Sequence, residues 1–253
     1  MIQEPFAYGN STVHQIDPRA RILLATAYAF VVALSSKFPV LFAALFISFL
    51  TTGLAQLDLR EVAKRVVLVN GLILFFWLVL PFTFSGEELF RLGPLVATRT
   101  GIWVAARITL KSNAILLIFI SLVASMSIAT TGHSLHRLKI PSKMVHLLLL
   151  TYRYVFVIEQ EYQRLARAAK IRGFQPGTNI HTYRTYAYLL GMLFVRASAR
   201  AERVYQAMLC RGFKGEFYCL KTFSMSRTDW IWTILMATLI FLLAVMQWTK
   251  IIY

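Results

Sequence analysis

Cysteine, acids and charged residues taken together are all scarce in this chain, and each scarcity closes a line of interpretation. Only Cys210 and Cys219 occur, nine residues apart, which supplies neither a disulfide framework nor the paired-thiol spacing of zinc and redox sites. Charged residues make up 15% of the 253 and hydrophobic ones 58%, whereas a soluble domain carries about a quarter charged. Lipid is therefore the expected solvent for much of the chain. No Gly-x-x-x-x-Gly-Lys-Ser/Thr loop is present. Its nearest approach, Gly173 to Gly177 followed by Thr178, lacks the phosphate-holding lysine, so no nucleotide-hydrolysing loop is expected in this chain. His133 and His136 stand three apart with no cysteine, aspartate or third histidine to complete a ligand set, and a polar interfacial role is expected for both. Glu87 and Glu88 have no serine or histidine partner suggested by the sequence. Neither a catalytic nor a metal site is expected, and no cofactor.

What the chain has is a series of apolar runs near the roughly 20 residues that cross a bilayer. Asp17-Pro18 opens the first helix, because the carboxylate caps free amides and proline suits the first helical position. The run extends from Ile22 to Leu34. After Ser35, Ser36 and Lys37, a second begins at Pro39 and continues to Leu57, predicting a tight helical hairpin. The charged stretch 58–65 precedes a third run, Val66 to Phe84, with Pro81 near its end, and 85–100 reads as a mixed loop. A fourth helix is expected from Gly101, with Arg107 and Lys111 in its first part and an apolar run from Ala114 to Ala129. The last span is Trp230 to Trp248, with Trp230, Trp232 and Trp248 where interfacial indoles sit. The first twelve residues lack the basic-then-apolar layout of a cleaved signal peptide, so insertion is expected to rest on the internal helices.

Positive charge is concentrated rather than spread. The stretch 132–228 holds eleven Arg and five Lys against four Glu, a net +12 of the chain's +16. The positive-inside tendency assigns this stretch to the cytoplasm. Counting spans backward puts Arg60, Lys64 and Arg65 inside with the N-terminus, and the Lys37 turn outside with the C-terminus. The expected organisation is thus 1–131 as N-terminal membrane helices, 132–228 as a cytoplasmic helical region and 229–253 as a final transmembrane helix. The fold class is an all-α integral membrane protein with about five transmembrane helices and a cytoplasmic amphipathic helical subdomain.

Within 132–228 the apolar residues recur at helical spacing twice. The first helix runs from Ser142 to Ile171 with Val145, Leu148, Tyr152, Val155, Tyr162, Leu165 and Ala169 as its stripe. The second runs from about Tyr183 to Cys210, with Leu190, Phe194, Ala197, Ala201, Val204 and Met208. Their ends repeat. Arg164, Ala168, Arg172, Gly173 and Phe174 correspond to Arg203, Ala207, Arg211, Gly212 and Phe213, displaced by 39 residues. Arginine, alanine and arginine fall four apart on one face. A basic residue in a last turn followed by glycine is an ordinary helix ending, but one ordinary ending does not require a second copy sharing five positions.

These paired ends resemble the T component of energy-coupling-factor transporters, of the cobalt/nickel CbiQ type, whose two cytoplasmic helices each end in Ala-Arg-Gly. Here the triplets read Ile171-Arg172-Gly173 and Cys210-Arg211-Gly212, departing from that pattern at the alanine. Other stretches share the likeness: His14-x-x-Asp17-Pro18-Arg19, Leu138 to Pro141, Thr151 to Tyr154, Phe194-Val195-Arg196 and Arg200 to Arg203. The resemblance implies a multi-pass, non-catalytic subunit of a prokaryotic cytoplasmic membrane. Its partners would be two cytoplasmic ABC ATPases and a membrane-embedded substrate-binding S component, with lipids around them and no nucleic acid. Arg172 and Arg211 would be the coupling residues, aided by Arg164 and Arg203; Ala168 and Ala207 would permit close approach, and Gly173 and Gly212 would end the helices. The substrate would be cobalt or nickel. A vitamin-type T component is the alternative, and so is a self-sufficient secondary transporter, for which Asn70 and Asn113 are the polar groups available within the spans. Glu159 and Glu161 near Arg164, and Glu202 near Arg203, are expected to be solvated helix pairs.

Overall fold

The computed structural model describes residues 6, 9, 11–84, 88–92, 95–213 and 225–249. They form nine helices and one β-hairpin. The chain divides into two compact units, one containing Gly132–Thr222 and the other Glu4–Thr131 with Phe223–Tyr253.

The larger unit is built from α1 (Thr12–Gln15), α2 (Pro18–Leu34), α3 (Phe38–Leu54), α4 (Leu59–Thr83), α5 (Arg99–Leu122) and α9 (Arg227–Trp248), with β1 (Glu88–Leu92) and β2 (Leu95–Thr98) between α4 and α5. Three of these, α4, α5 and α9, are long and apolar enough to cross a membrane, and α3 is a shorter apolar helix. Asp17 caps α2 as its sequence predicts, its carboxylate accepting from the Arg19 amide at 2.9 Å. Ser226 and Asp229 form a reciprocal capping box at the start of α9.

α5 is the hub, packing against α2, α3 and α4, while α9 packs on α2 and α3. The α3 face toward α5 is small and hydroxylic: Ala44, Ser48, Thr51 and Thr52 are all buried. Small side chains let backbones approach, which is how helices associate where no hydrophobic difference drives them together. Ser48 Oγ lies 2.8 Å from the Ala114 carbonyl and 2.7 Å from the Tyr28 hydroxyl, itself 2.5 Å from the Ala44 carbonyl. Three helices are thereby joined through two hydroxyl protons. Large apolar side chains elsewhere face outward, among them Leu68, Leu72, Phe75 and Leu78 on α4, as lipid-facing positions do.

Two further polar contacts tie distant parts of this unit. Asn70 on α4 and Asn113 on α5 exchange amide hydrogen bonds, each Nδ2 donating to the other's Oδ1 at 3.0 Å. The α2–α3 turn grips the end of α9: Lys37 Nζ donates to the Thr249 carbonyl at 2.5 Å, and Gln247 bonds Ser36 through its Nε2 at 3.1 Å. At the N-terminal side, His14 Nε2 faces the Phe6 carbonyl at 3.0 Å and Nδ1 faces Ser11 Oγ at 2.7 Å. A carbonyl only accepts, so the proton sits on Nε2 and the serine hydroxyl donates to Nδ1.

The structure departs from the expected segments in three places. The 85–100 loop contains the hairpin, with Phe90 opposite Ala97 and Leu92 opposite Leu95, and α5 begins at Arg99 rather than Gly101. Glycine is needed at 101 because a Cβ there would lie 2.5 Å from the Leu80 carbonyl oxygen, where α4 crosses. The apolar run 114–129 is not one helix: α5 stops at Leu122, and α6 (Ile128–Arg137) begins after a turn. The cause is a buried arginine. Arg21, 2% exposed on α2, donates from Nε to the Leu122 carbonyl at 2.9 Å and from Nη2 to Ser125 Oγ. The amides of Val123 and Ala124 both turn back to the Phe119 carbonyl at 2.9 Å. A guanidinium occupying a carbonyl of the last turn ends the helix as a cap does. The third departure is at the other end of the chain, where Trp230 and Trp248 are exposed but Trp232 packs against the core.

Candidate functional site

The smaller unit contains the two helices that the sequence singles out, α7 (Ser142–Ile171) and α8 (Ile180–Cys210), the latter starting three residues before its expected position. α6 and α7 approach closely at Gly132, where a Cβ would stand 2.6 Å from Leu149 Cδ2. α7 and α8 pack together around an apolar groove of about 390 Å³. On α8 the groove face is the expected one, with Ala197, Ala201, Val204 and Met208 lining it. Leu190 and Phe194 from the same stripe are exposed instead. On α7 the face differs: Leu147, Thr151, Tyr154 and Ile158 line the groove and only Val155 of the expected stripe joins them. α7 carries apolar residues on more than one face, with Val145 fully buried away from the groove, so a single periodic stripe could not identify the side that meets α8.

Glu161 closes one end of this face. It accepts a hydrogen bond from Arg196 of α8 and forms a longer ion pair with Arg164 at 3.8 Å. The Arg196 hydrogen bond, together with the charges of Arg196, Arg164 and Arg200, holds its carboxyl below the ordinary value against the opposing effect of desolvation. The expectation of a solvated pair is thus only part of the finding for Glu161, whose first partner lies on the other helix. Glu159 and Glu202 bond neighbouring glutamines, Gln163 at 3.5 Å and Gln206 at 2.9 Å.

The two repeated ends match in backbone as well as sequence. Arg172 and Arg211 sit at the C-cap with φ, ψ of −80°, 13° and −91°, 11°. Gly173 and Gly212 follow at φ +83° and +76°. The Phe174 amide returns to the Ala169 carbonyl and the Phe213 amide to the Met208 carbonyl, both at 3.1 Å, while the two glycine amides return to Lys170 and Leu209 at 3.0 and 2.9 Å. Both ends are therefore Schellman motifs of the same form. Nothing lies within 4 Å of where a Cβ would stand on either glycine, so the left-handed backbone, not crowding, demands them. Phe174 folds back on the α8 side, its ring 5.7 Å from that of Tyr186 in an edge arrangement.

All eight predicted coupling residues, Arg164, Ala168, Arg172, Gly173, Arg203, Ala207, Arg211 and Gly212, are exposed. Arg164 has its Glu161 partner; the side chains of Arg172, Arg203 and Arg211 form no hydrogen bond or ion pair with the described residues. A helix terminus that presents a bare guanidinium beside a fixed turn offers a charged, shaped end to another surface. Among the described residues no group of three histidines, cysteines or acids comes together; His136 lies beside His146 with ring centroids 6.2 Å apart. Cys219, Glu87 and the side chain of Glu88 lie outside the described residues. Arg21, Tyr28 and Ser48 were not apparent as linked positions in the sequence. The signal that marks them is a polar residue inside an otherwise apolar helix.

Apolar helices of membrane-spanning length, joined through small residues and interhelical polar pairs, define a helical multi-pass membrane protein. A family model described as "Cobalt transport protein", CbiQ, matches residues 9–220, and the chain belongs to that family as a T component of the energy-coupling-factor transporters. It is 28% identical over 232 residues to "Energy-coupling factor transporter transmembrane protein EcfT" of Listeria innocua, covering 85% of both chains. Against the protein of the same description from Streptococcus equi the identity is 29% over 222 residues, 82% of this chain and 81% of the other. "Cobalt transport protein CbiQ" of Rhodobacter capsulatus is 27% identical over 118 residues, 47% of this chain and 48% of the relative.

Proposed function

We propose that this T component couples ATP hydrolysis to import: its membrane helices hold a substrate-binding S component, and Arg172 and Arg211 dock the ends of α7 and α8 into two cytoplasmic ATPases. The observation that carries this reading is the pair of matching Schellman ends, each with an exposed guanidinium at the C-cap. Duplicate docking ends suit a pair of ATPases. The chain itself is non-catalytic, and ATP is hydrolysed by the partners. Residues 132–228 and the N-terminus face the cytoplasm, in keeping with the +12 balance of that stretch.

Cobalt or nickel is the proposed cargo, supported by the description of the matching family. A second reading has an observation in its favour. Relatives that match over four fifths of the chain, those of Listeria innocua and Streptococcus equi among them, carry the EcfT description, which names no cobalt, so a vitamin-type T component is the alternative, with the S component setting the substrate. A self-sufficient secondary transporter is disfavoured because Asn70 and Asn113 satisfy each other.

The test distinguishes arginine as shape from arginine as charge. A lysine ammonium does not reproduce the planar five-donor fork, and breaking one side of a docked charge contact costs about 2 to 5 kcal/mol, or roughly 30-fold or more in affinity. Arg172→Lys with Arg211→Lys should abolish capture of the ATPases in detergent and ATP-dependent metal uptake, while Arg184→Lys with Arg227→Lys should leave both near normal. Equal behaviour of the two double variants would rule out docking through the arginine fork and assign these helices a lipid-surface role instead.

A further inference from the structure

We infer that Arg107, at the Lys37 end of the membrane unit, binds the phosphate of an anionic phospholipid. The inference is independent of the ATPase-docking role. Arg99 opens α5 at this end, and three more of the described cations lie near it, Lys37, Lys111 and Arg107, of which the two lysines have backbone partners. Lys37 donates to the Thr249 carbonyl at the end of α9, and Lys111 donates to the Ala33 carbonyl in the last turn of α2 at 2.7 Å. Each places an ammonium against the negative end of a helix dipole.

Arg107 differs. It lies one turn before Lys111 on the membrane-crossing helix α5, where an ionisable side chain is costly and marks a functional position by default. Two cations four residues apart on a helix also repel each other. Its Nε is buried without a hydrogen-bond partner. The guanidinium carbon stands 5.4 Å from the centre of the Phe38 ring, a contact that engages one face of the plane and leaves the in-plane donors free. It lines a cavity of about 400 Å³ with Phe38, Thr100, Trp103 and Val104, large enough for a small-molecule headgroup.

The chemistry of the walls selects the occupant. Trp103 is 46% exposed and packs edge-on against Phe38 with centroids 4.9 Å apart. Indoles of this kind settle at the headgroup level of a bilayer. Arg107 is one turn further along α5, about 6 Å, and a long basic side chain reaches back toward the headgroups from such a position. A guanidinium fork there matches phosphate oxygens. Among the described lining residues there is no carboxylate to receive a choline or ethanolamine ammonium, and Arg107 with Lys111 adds repulsion toward either. The site therefore favours a lipid whose only charge is its phosphate, such as phosphatidylglycerol, over phosphatidylcholine.

The test uses the full chain, delipidated in a non-ionic detergent, with dioleoyl phosphatidylglycerol, dioleoyl phosphatidylcholine and inorganic phosphate as probes. Bound lipid is counted by native mass spectrometry, and the melting temperature is followed as each probe is added. The wild type should retain phosphatidylglycerol and be stabilised by it. Phosphatidylcholine should be held at least about tenfold more weakly, a difference of roughly 1.4 kcal/mol, and millimolar phosphate should not compete. Arg107→Gln should weaken phosphatidylglycerol retention by about tenfold or more and remove the lipid-dependent rise in melting temperature. Arg107→Lys keeps the charge without the fork and should fall between. Lys64→Gln, away from the site, should match the wild type. If Arg107→Gln does not fold, the intermediate position of Arg107→Lys decides. Equal retention by the wild type and Arg107→Lys together with equal binding of the two lipids would overturn the inference, as would displacement by inorganic phosphate.

Discussion

Replacing Arg21 by methionine keeps most of the buried stem and removes the head that stops α5. In the native fold that head makes two contacts, Nε to the Leu122 carbonyl at 2.9 Å and Nη2 to Ser125 Oγ. Hydrogen bonds from a charged donor contribute about 1.5 to 3 kcal/mol each, and a buried acceptor left without a partner costs about 1 to 3 kcal/mol. Ser125 would not be orphaned, because its hydroxyl also donates to the Ser121 carbonyl at 2.5 Å. Leu122 would be, since the residue is fully buried. The expected loss is about 3 kcal/mol, and at about 2 to 4 °C per kcal/mol for a chain of this size the melting temperature should fall by roughly 6 to 12 °C. Arg21→Lys, which can serve only one acceptor well, should lose about half as much. Ser125→Ala leaves the guanidinium on Leu122 and should cost about 1 kcal/mol. The assay is thermal unfolding of the detergent-solubilised chain, with hydrogen exchange read at Val123, Ala124 and Met126. Exchange at these amides should accelerate in Arg21→Met before that of mid-helix residues. A melting temperature within about 2 °C of wild type, the range of ordinary surface substitutions, would refute the capping argument.

The Asn70–Asn113 pair predicts a double-mutant coupling of about 0.6 kcal/mol and no more than about 1.7 kcal/mol; measured with leucine substitutions in unfolding assays, independent additive losses would count against it. Glu161, with its carboxyl held below the usual range, should keep its ion pair with Arg196 on α8 throughout neutral and mildly acidic pH. A lowered folded-state value means the contribution is complete above the unfolded carboxylate value and disappears as pH falls through the folded one. Spin labels on α7 and α8 near Glu161 should therefore report a local loosening only below the ordinary carboxylate range, with the apolar groove keeping the helices packed, and Glu161→Gln should remove that acid transition. A membrane-impermeant thiol reagent applied to whole cells should spare a cysteine placed at Thr178 and label one placed at Glu87; the reverse pattern would invert the proposed orientation.

Much of the architecture was legible because bilayer and helix impose strong periodic signatures. Apolar length marked the spans, and Asp17-Pro18 marked a start that the structure reproduces. The paired Arg-Gly-Phe ends were legible for a different reason: a Schellman turn needs glycine in the left-handed region, so its geometry is written almost residue by residue. The stop at Leu122 was hidden, since the run to Ala129 stays apolar and the residue that ends the helix sits 101 positions earlier. The α7 groove face was hidden by abundance, as Leu147 and Leu148 are equally apolar neighbours and only the position of α8 chooses between them. Asn70 and Asn113 were noticed, but as polar groups available to a substrate within the spans. Each turned out to be the other's ligand.

The grip of the α2–α3 turn on the end of α9 has a mechanical meaning. It fastens together segments 211 positions apart, so α2 and α9, which also pack directly on each other, cannot part at this end without breaking the hydrogen bonds of Ser36, Lys37, Gln247 and Thr249.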